Sequence, residues 1–213
     1  MVKRFLVVVA AIAAIFAWAP ANADDYTGTS APDVIDTIDS INTADNVLSK
    51  AGPDTVTTHN NSDSVLAGYG NDSVNTGKGD DGQGAAYEGD SLFGPIAGQQ
   101  GDDYLNVGAG DDYATGGDGQ DTLKGAGGDD TLYGQWDKDT LNGGNGDDLL
   151  VPGAGPDTVN AGGNNDTIYL GDDSAKDTVF CGDGNDTVVL TAGHADPKDA
   201  PLNDCENVIS PIR

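Results

Sequence analysis

Gly98 to Tyr169 reads, in nines, GQQGDDYLN (98–106), VGAGDDYAT (107–115), GGDGQDTLK (116–124), GAGGDDTLY (125–133), GQWDKDTLN (134–142), GGNGDDLLV (143–151), PGAGPDTVN (152–160) and AGGNNDTIY (161–169). An aspartate holds the sixth place of every line: Asp103, Asp112, Asp121, Asp130, Asp139, Asp148, Asp157 and Asp166. The eighth place is apolar throughout: Leu105, Ala114, Leu123, Leu132, Leu141, Leu150, Val159 and Ile168. A fixed short period means a stack of equivalent units, a solenoid, because no single unit can bury its own apolar side.

The phase extends in both directions. Backwards it picks out Asp36, Asp45, Asp54, Asp63, Asp72, Asp81 and Asp90, with Ile38, Val47, Val56, Val65, Val74, Gln83 and Leu92 two places on. The longer step from Asp90 to Asp103 predicts a four-residue insertion around Phe93 to Ala97. The step from Asp166 to Asp177 predicts a two-residue insertion near Leu170-Gly171, and Asp186 restores the period. Gln83 and Ala114 are the exceptions at the aliphatic place. Each unit reads as a turn followed by a strand. Glycine and Asn in the first four places suit positive φ angles. The Asp-Thr-Leu type triplet is a short strand with one residue pointing inward. No stretch has helical periodicity; Ser40 to Lys50 keeps the solenoid phase and is read as a coil of the stack.

The net charge is −27 over 213 residues, with 32 glycines. Charge of this size with few aromatics ordinarily means disorder. Here the acid is almost all Asp, since Glu88 and Glu206 are the only glutamates, and it sits in fixed phase beside glycine. That favours a folded chain holding cations, and excludes nucleic acid and anionic lipid as partners. Residues 1–23 read as a secretory signal: Lys3 and Arg4 start it, Phe5 to Ala19 is the apolar run, and Ala21-Asn22-Ala23 is the cleavage site. The run is short for a membrane span, and none follows it, so no membrane insertion is expected after cleavage. The destination is extracellular. Cys181 and Cys205 are then expected to form one disulfide; two free or intermolecular thiols are the other reading. Residues 24–189 form the repeat domain and 190–213 a C-terminal loop and capping strand, Asn203 to Ile209, fastened back to Cys181. A stack needs such a cap over its last apolar coil.

Carboxylates and turn carbonyls are hard oxygen donors, which suit calcium. His59 and His194 stand alone, so nothing points to a softer metal. Gly116-Gly117-Asp118-Gly119-Gln120-Asp121-Thr122-Leu123-Lys124 and Gly143-Gly144-Asn145-Gly146-Asp147-Asp148-Leu149-Leu150-Val151 match the nonapeptide G-G-x-G-x-D-x-U-x at every place. In this the chain resembles the RTX, or haemolysin-type, calcium-binding repeat family, over residues 31–189. The resemblance implies an all-β fold, a right-handed parallel β-roll with two nonapeptides per turn. It also implies several calcium ions between stacked turns. The ligands it implies are Asp72, Asp81, Asp103, Asp112, Asp121, Asp130, Asp148, Asp157, Asp166 and Asp186, with turn positions Gly108, Gly110, Gly117, Gly119, Gly128, Gly144 and Gly146.

The place two before each Asp should tolerate positive φ. Val34, Thr43, Glu88, Asp137 and Ala175 stand there as poor substitutes. The edge carrying Asp112, Asp130, Asp148, Asp166 and Asp186 is therefore expected to hold calcium better than the edge carrying Asp103, Asp121, Asp139, Asp157 and Asp177, which is interrupted at 135–137 and 173–175. Repeats fill the chain, and no H-E-x-x-H or G-x-S-x-G occurs, so an enzyme is not expected. Two classes remain: a secreted, monomeric calcium-binding protein that folds on its ions, or a calcium-dependent adhesin whose flat face binds a surface, glycan or protein. An ice-binding face would need a regular outward Thr row in the turns, but the third place is mixed (Tyr69, Lys78, Asp118, Gly127, Asn145).

Overall fold

A computed structural model describes residues 7–10, 13–15, 25–36, 46–59, 63–79, 81, 96–171, 173, 175–190, 202 and 204–209. The described chain is all β, a solenoid of about seven turns made of two ten-stranded sheets. Sheet A stacks β2 (Ala13–Ile15), β1 (Val7–Ala10), β4 (Val34–Asp36), β6 (Thr55–Thr57), β8 (Ser73–Asn75), β10 (Tyr104–Ala109), β12 (Thr122–Gly127), β14 (Thr140–Asn145), β16 (Thr158–Gly163) and β18 (Thr178–Asp183). Sheet B stacks β3 (Asp25–Thr27), β5 (Asn46–Leu48), β7 (Ser64–Tyr69), β9 (Ile96–Gln100), β11 (Tyr113–Asp118), β13 (Thr131–Trp136), β15 (Leu149–Ala154), β17 (Thr167–Leu170), β19 (Thr187–Leu190) and β20 (Asn207–Ile209). Among the described residues no helix is long and apolar enough to cross a membrane.

From β3 to β19 the strands alternate between the sheets, and within this range neighbours in a sheet pair in parallel one full turn apart. Leu105 lies beside Leu123, Leu123 beside Leu141, and Leu141 beside Val159. These eighth-place side chains are fully buried and make the narrow core with Leu132, Leu150 and Ile168 of the facing sheet. Even Ala114, an exception by size, is fully buried. The first place of the nonapeptide also points inward. It is Ser49, Thr58, Ala67 and Thr76 in the N-terminal turns, Val107 or glycine in the central ones, and Pro152, Ala161, Leu170 and Cys181 towards the C-terminus, so the core has two inward rows rather than one.

Two registers differ from the sequence reading. At the N-terminal end Asp33 and Ile35, not Asp36 and Ile38, take the sixth and eighth places. Asp33 is buried, its N–H donates to Asp54 Oδ1 at 2.8 Å, and Ile35 pairs beside Val56. Val34 is then an outward strand residue rather than a turn residue. In the middle, Asp72 meets Asp103 and Asp81 meets Asp112, each step 31 residues where the regular step is 18. The excess of 13 lies between Asp81 and Ile96, inside one unit. Ile96, in register with Ala114, takes the inward place that the nine-residue count gave to Gln83, and Ala97 belongs to β9 rather than to an insertion. Residues 82–95, including Gln83, Glu88, Asp90 and Leu92, lie outside the described residues, as do Asp45 and Thr43. The step of 20 from Asp157 to Asp177 agrees with a two-residue insertion after Leu170.

Cys181 and Cys205 form a disulfide, with Cα atoms 5.3 Å apart. Beyond it β20 pairs in parallel with β19 and ends sheet B. Glu206 Oε2 accepts the Asp186 N–H at 2.9 Å, so the cap enters the stack as a further, imperfect unit. At the other end β1 pairs antiparallel with β2 and with β4, so strands of the apolar N-terminal run lie along the edge of sheet A.

Candidate metal centres

The sixth-place aspartates stand in two buried rows, one at each corner of the solenoid. In one row Asp33, Asp54, Asp72, Asp103, Asp121, Asp139 and Asp157 each donate their backbone N–H to the next aspartate's Oδ1, at 2.7–3.0 Å. In the other, Asp63, Asp81, Asp112, Asp130, Asp148 and Asp166 do the same, at 2.6–2.9 Å. The short Asp side chain suits this, because the acceptor must reach a backbone amide exactly one turn away. Among the described residues the one glutamate that accepts such a bond is Glu206, at the terminal cap.

Each ladder uses one carboxylate oxygen. The other, Oδ2, is shielded from solvent and reached by no hydrogen-bond donor in Asp72, Asp103, Asp121, Asp130, Asp139, Asp148, Asp157, Asp166 and Asp186. Leaving so many buried oxygens unsatisfied is expensive, and a native fold does not accumulate them without a partner. Burial is the main force on their protonation. It pushes Asp103, Asp130, Asp148 and Asp157 up to about 7, Asp139 to about 8, and Asp54, Asp121 and Asp166 to about 6, against the partial relief of the backbone hydrogen bond. Asp72 and Asp186 are raised for the same reason. Neighbouring carboxylates push several of them further, Asp121 and Asp157 acting on Asp139 for example.

The first-place glycines explain where Oδ2 points. A Cβ on Gly116 would lie 2.8 Å from Asp121 Cγ, and one on Gly143 would lie 2.9 Å from Asp148 Cγ. The carbonyl of the next turn borders the same spot: Gly116 O would be 2.8 Å from a Cβ on Gly98, and Ala161 O 2.6 Å from one on Gly143. Their φ angles are ordinary, so glycine is required here for space alone. A carboxylate oxygen and a carbonyl oxygen from adjacent turns thus face one cradle that any larger residue would fill.

The turn backbone supplies the rest of the geometry. Gly108, Gly117 and Gly144 at the second place have φ of 101°, 127° and 121°, and Gly110, Gly119, Gly128 and Gly146 at the fourth have 141°, 134°, 126° and 134°. Two left-handed residues per unit keep the carbonyls of successive turns stacked. Asp137, expected to be a poor substitute, adopts the same conformation at φ 75°, as Gln135 does at 87°, and the ladder from Asp121 to Asp139 continues through this unit. The interruption expected at 135–137 is therefore absent. At 173–175 the turn does depart: Ala175 is not left-handed, and the Asp173 carboxylate accepts the N–H groups of Gly155 and Ala175 instead.

All the sequence-predicted aspartates thus fall in the two rows, and the predicted glycines in their turns. Asp33, Asp54, Asp63, Asp139 and Asp177 occupy equivalent places and were not among them. Asp139 was passed over because its turn contains Trp136 and Asp137; phase alone would have included it. A second ladder was also missed. On the exposed side of one corner the fifth-place N–H groups of Asp129, Asp147, Asn165 and Asn185 donate backwards, to Oδ1 of Asp111, Asp129, Asp147 and Asn165, at 2.8–3.1 Å. The recurrence of Asp and Asn at that place was its signal.

Among the described residues no three metal-ligating side chains converge. A cation here would take its oxygens from carboxylates of stacked turns together with main-chain carbonyls, a hard donor set that fits calcium and not a thiophilic metal. No curated protein matches the chain closely. The family model for the RTX calcium-binding nonapeptide repeat matches in four copies, at residues 44–82, 96–123, 115–150 and 153–175, which together span more than half of the sequence. With its nine-residue phase, paired parallel sheets and corner rows of buried aspartate, the chain belongs to the RTX calcium-binding nonapeptide repeat family.

Proposed function

We propose that this is a secreted, non-catalytic protein that becomes a compact roll by taking up several calcium ions along its two corners. The observation that carries the reading is the repeated, buried and unbonded Oδ2. When bound, calcium supplies the positive charge that these rows lack. The chain does the rest: Asp Oδ1 ties each turn to its neighbour, Oδ2 and first-place carbonyls face the cradle, and left-handed residues keep the carbonyls in line. The proposed ligands are the sixth-place aspartates whose cradle a first-place glycine leaves open: Asp103, Asp121, Asp130, Asp139 and Asp148.

Without cations, stacked carboxylates repel across a thin core, and chain entropy is not offset. Metal binding then becomes folding energy. Export follows from the leader at 1–23, and the disulfide suits an oxidising destination. Net charge, two units more negative after loss of Lys3 and Arg4, keeps copies apart and supports a monomer. Midpoints of about 10⁻⁴–10⁻³ M calcium are expected for an extracellular module.

The test is circular dichroism of the exported protein in chelator and on return of calcium, with calorimetric titration for the number of ions. Loss of the β signal in chelator and its recovery with calcium uptake are expected. An unchanged spectrum in chelator, or no heat of calcium binding, would sink the reading.

A further inference from the structure

The outer face of sheet B carries a feature that calcium binding does not use. The third places of its units lie side by side along the roll: Tyr69, Gln100, Asp118 and Trp136, in consecutive register on β7, β9, β11 and β13. Both end rings are 61% exposed, unusual for residues that gain so much from burial. Three strand spacings separate them, about 14 Å. Tyr69 borders an open depression of about 410 Å³ that is also lined by Gln99, Gln100, Thr115, Gly117, Asp118 and Gln135. Trp136, next along the chain from Gln135, borders a second depression of about 570 Å³ with Gln120, Asp137 and Lys138. The Thr115 hydroxyl in the first is shielded from water and has no hydrogen-bond partner.

The backbone marks the same spot. Gln99 and Gln135 sit on either side of Gly117, at the second place, with φ of 87° each. In the turns before and after, this left-handed place is glycine: Gly68, Gly117 and Gly153. Glycine would sit there without strain, yet the chain keeps two exposed carboxamides. Lys50 and Ala126 take the same place at φ of 85° and 88°, so the conformation alone is no mark; what sets Gln99 and Gln135 apart is that both line one depression.

We propose that this row binds a neutral polysaccharide lying along the roll axis, with the Tyr69 and Trp136 rings stacked on sugar faces. Carboxamides and hydroxyls both donate and accept hydrogen bonds, which matches an array of sugar hydroxyls. Rings with an apolar face suit the C–H side of a pyranose. The protein's charge of −27 repels acidic polymers and argues against a second copy. A cationic partner would be drawn to carboxylates all over the roll, not to a row with one acid in it. This goes beyond the calcium reading and rests on it only through the fold.

Affinity electrophoresis of the exported protein in calcium tests it, through gels containing amylose, galactomannan, xyloglucan or hydroxyethyl cellulose, with alginate as the acidic control. Retardation by at least one neutral polymer is expected, weakened roughly tenfold or more by Trp136→Ala. The double variant Q99G/Q135G should lose retardation while its melting temperature in calcium holds or rises, an outcome a purely structural role would not produce. Thr140→Ala on the opposite face should bind as wild type. The proposal is overturned if folded protein is retarded by none of the neutral polymers, if alginate alone retards it, or if the Trp136 and glutamine variants bind unchanged. Dichroism in the same buffer separates these results from failure of the roll to form.

Discussion

The central and terminal turns of the roll share one backbone and differ at the inward first place. In the centre Gly98, Gly116, Gly125, Gly134 and Gly143 leave room over which Asp Oδ2 is poised, Val107 being the exception. In the N-terminal turns Ser49, Thr58 and Thr76 fill the place, and their hydroxyls donate to carbonyls of the next turn: Ser49 to Ala67, Thr58 to Thr76, Thr76 to Val107. Towards the C-terminus Pro152, Ala161, Leu170 and Cys181 fill it, Cys181 carrying the disulfide. The ends are thus held by hydroxyl–carbonyl bonds, apolar contact and a covalent link. The centre depends on how its carboxylate charge is handled.

The largest expected effect exploits that charge. In the metal-free roll these carboxyls titrate at about 6–8, against 3.8 for the unperturbed group. A raised folded pKa means that the fold binds protons. Its contribution is fully present below about pH 4 and is lost as pH rises through 6 to 8. Protein in chelator should therefore regain β structure on acidification from pH 8 to pH 4, a direction opposite to ordinary acid denaturation. Dichroism across that range checks it; chelated protein that loses structure on acidification would count against the buried rows. Calcium uptake near pH 7 should in turn release protons, seen as a buffer-dependent heat in calorimetry.

Opening the disulfide comes next. C181S/C205S should cost about 3 kcal/mol by the chain-entropy estimate for a loop of this length, lowering the melting temperature in calcium. Hydrogen exchange should place the loss in β18, β19 and β20 and leave the central turns protected, because each turn of a solenoid contacts only its neighbours. Equal loss of protection throughout would show that the ends are not separately held.

Asp139→Asn separates the two jobs of one carboxylate. Asn Oδ1 still accepts the Asp121 N–H, but the charge is gone. In chelator at pH 8 the variant should be more stable than wild type, by about 1–2 kcal/mol, since a costly buried oxygen is replaced by an uncharged group. In saturating calcium the order should reverse, with fewer ions in the titration. The crossing of the two stability curves is the readout; the same sign in both conditions would remove Asp139 from the metal row.

The period made the architecture legible because one count fixes strand, turn and inward residue together. It failed where the count was carried across insertions. Asp36 sits in perfect phase, but Asp33 takes the place, because the stacking partner Asp54 and not the interval sets the register. Ile96 takes the inward place because an aliphatic side chain gains by burial where Gln83 would not. The first-place row was hidden because its occupants differ so much: glycine, threonine, proline and cysteine share no property except pointing inward. Asp137 was misjudged because a propensity was read as a rule, when a left-handed Asp is tolerated once the turns above and below fix it.

Thr58→Val is the smallest test and bears directly on the difference between the ends and the centre. The Thr58 hydroxyl is buried and donates to the Thr76 carbonyl at 3.0 Å, while valine keeps the branched shape and removes the donor. The loss should be about 1 kcal/mol in calcium. It should persist undiminished in chelator at pH 4, because the bond involves no titrating group and no cation. A central substitution such as Asp139→Asn changes sign between chelator and calcium, and this one should not. If Thr58→Val were instead silent in one condition and costly in the other, the N-terminal turns would be governed by the same carboxylate chemistry as the centre. The division of the roll by its first-place residues would then have no energetic meaning.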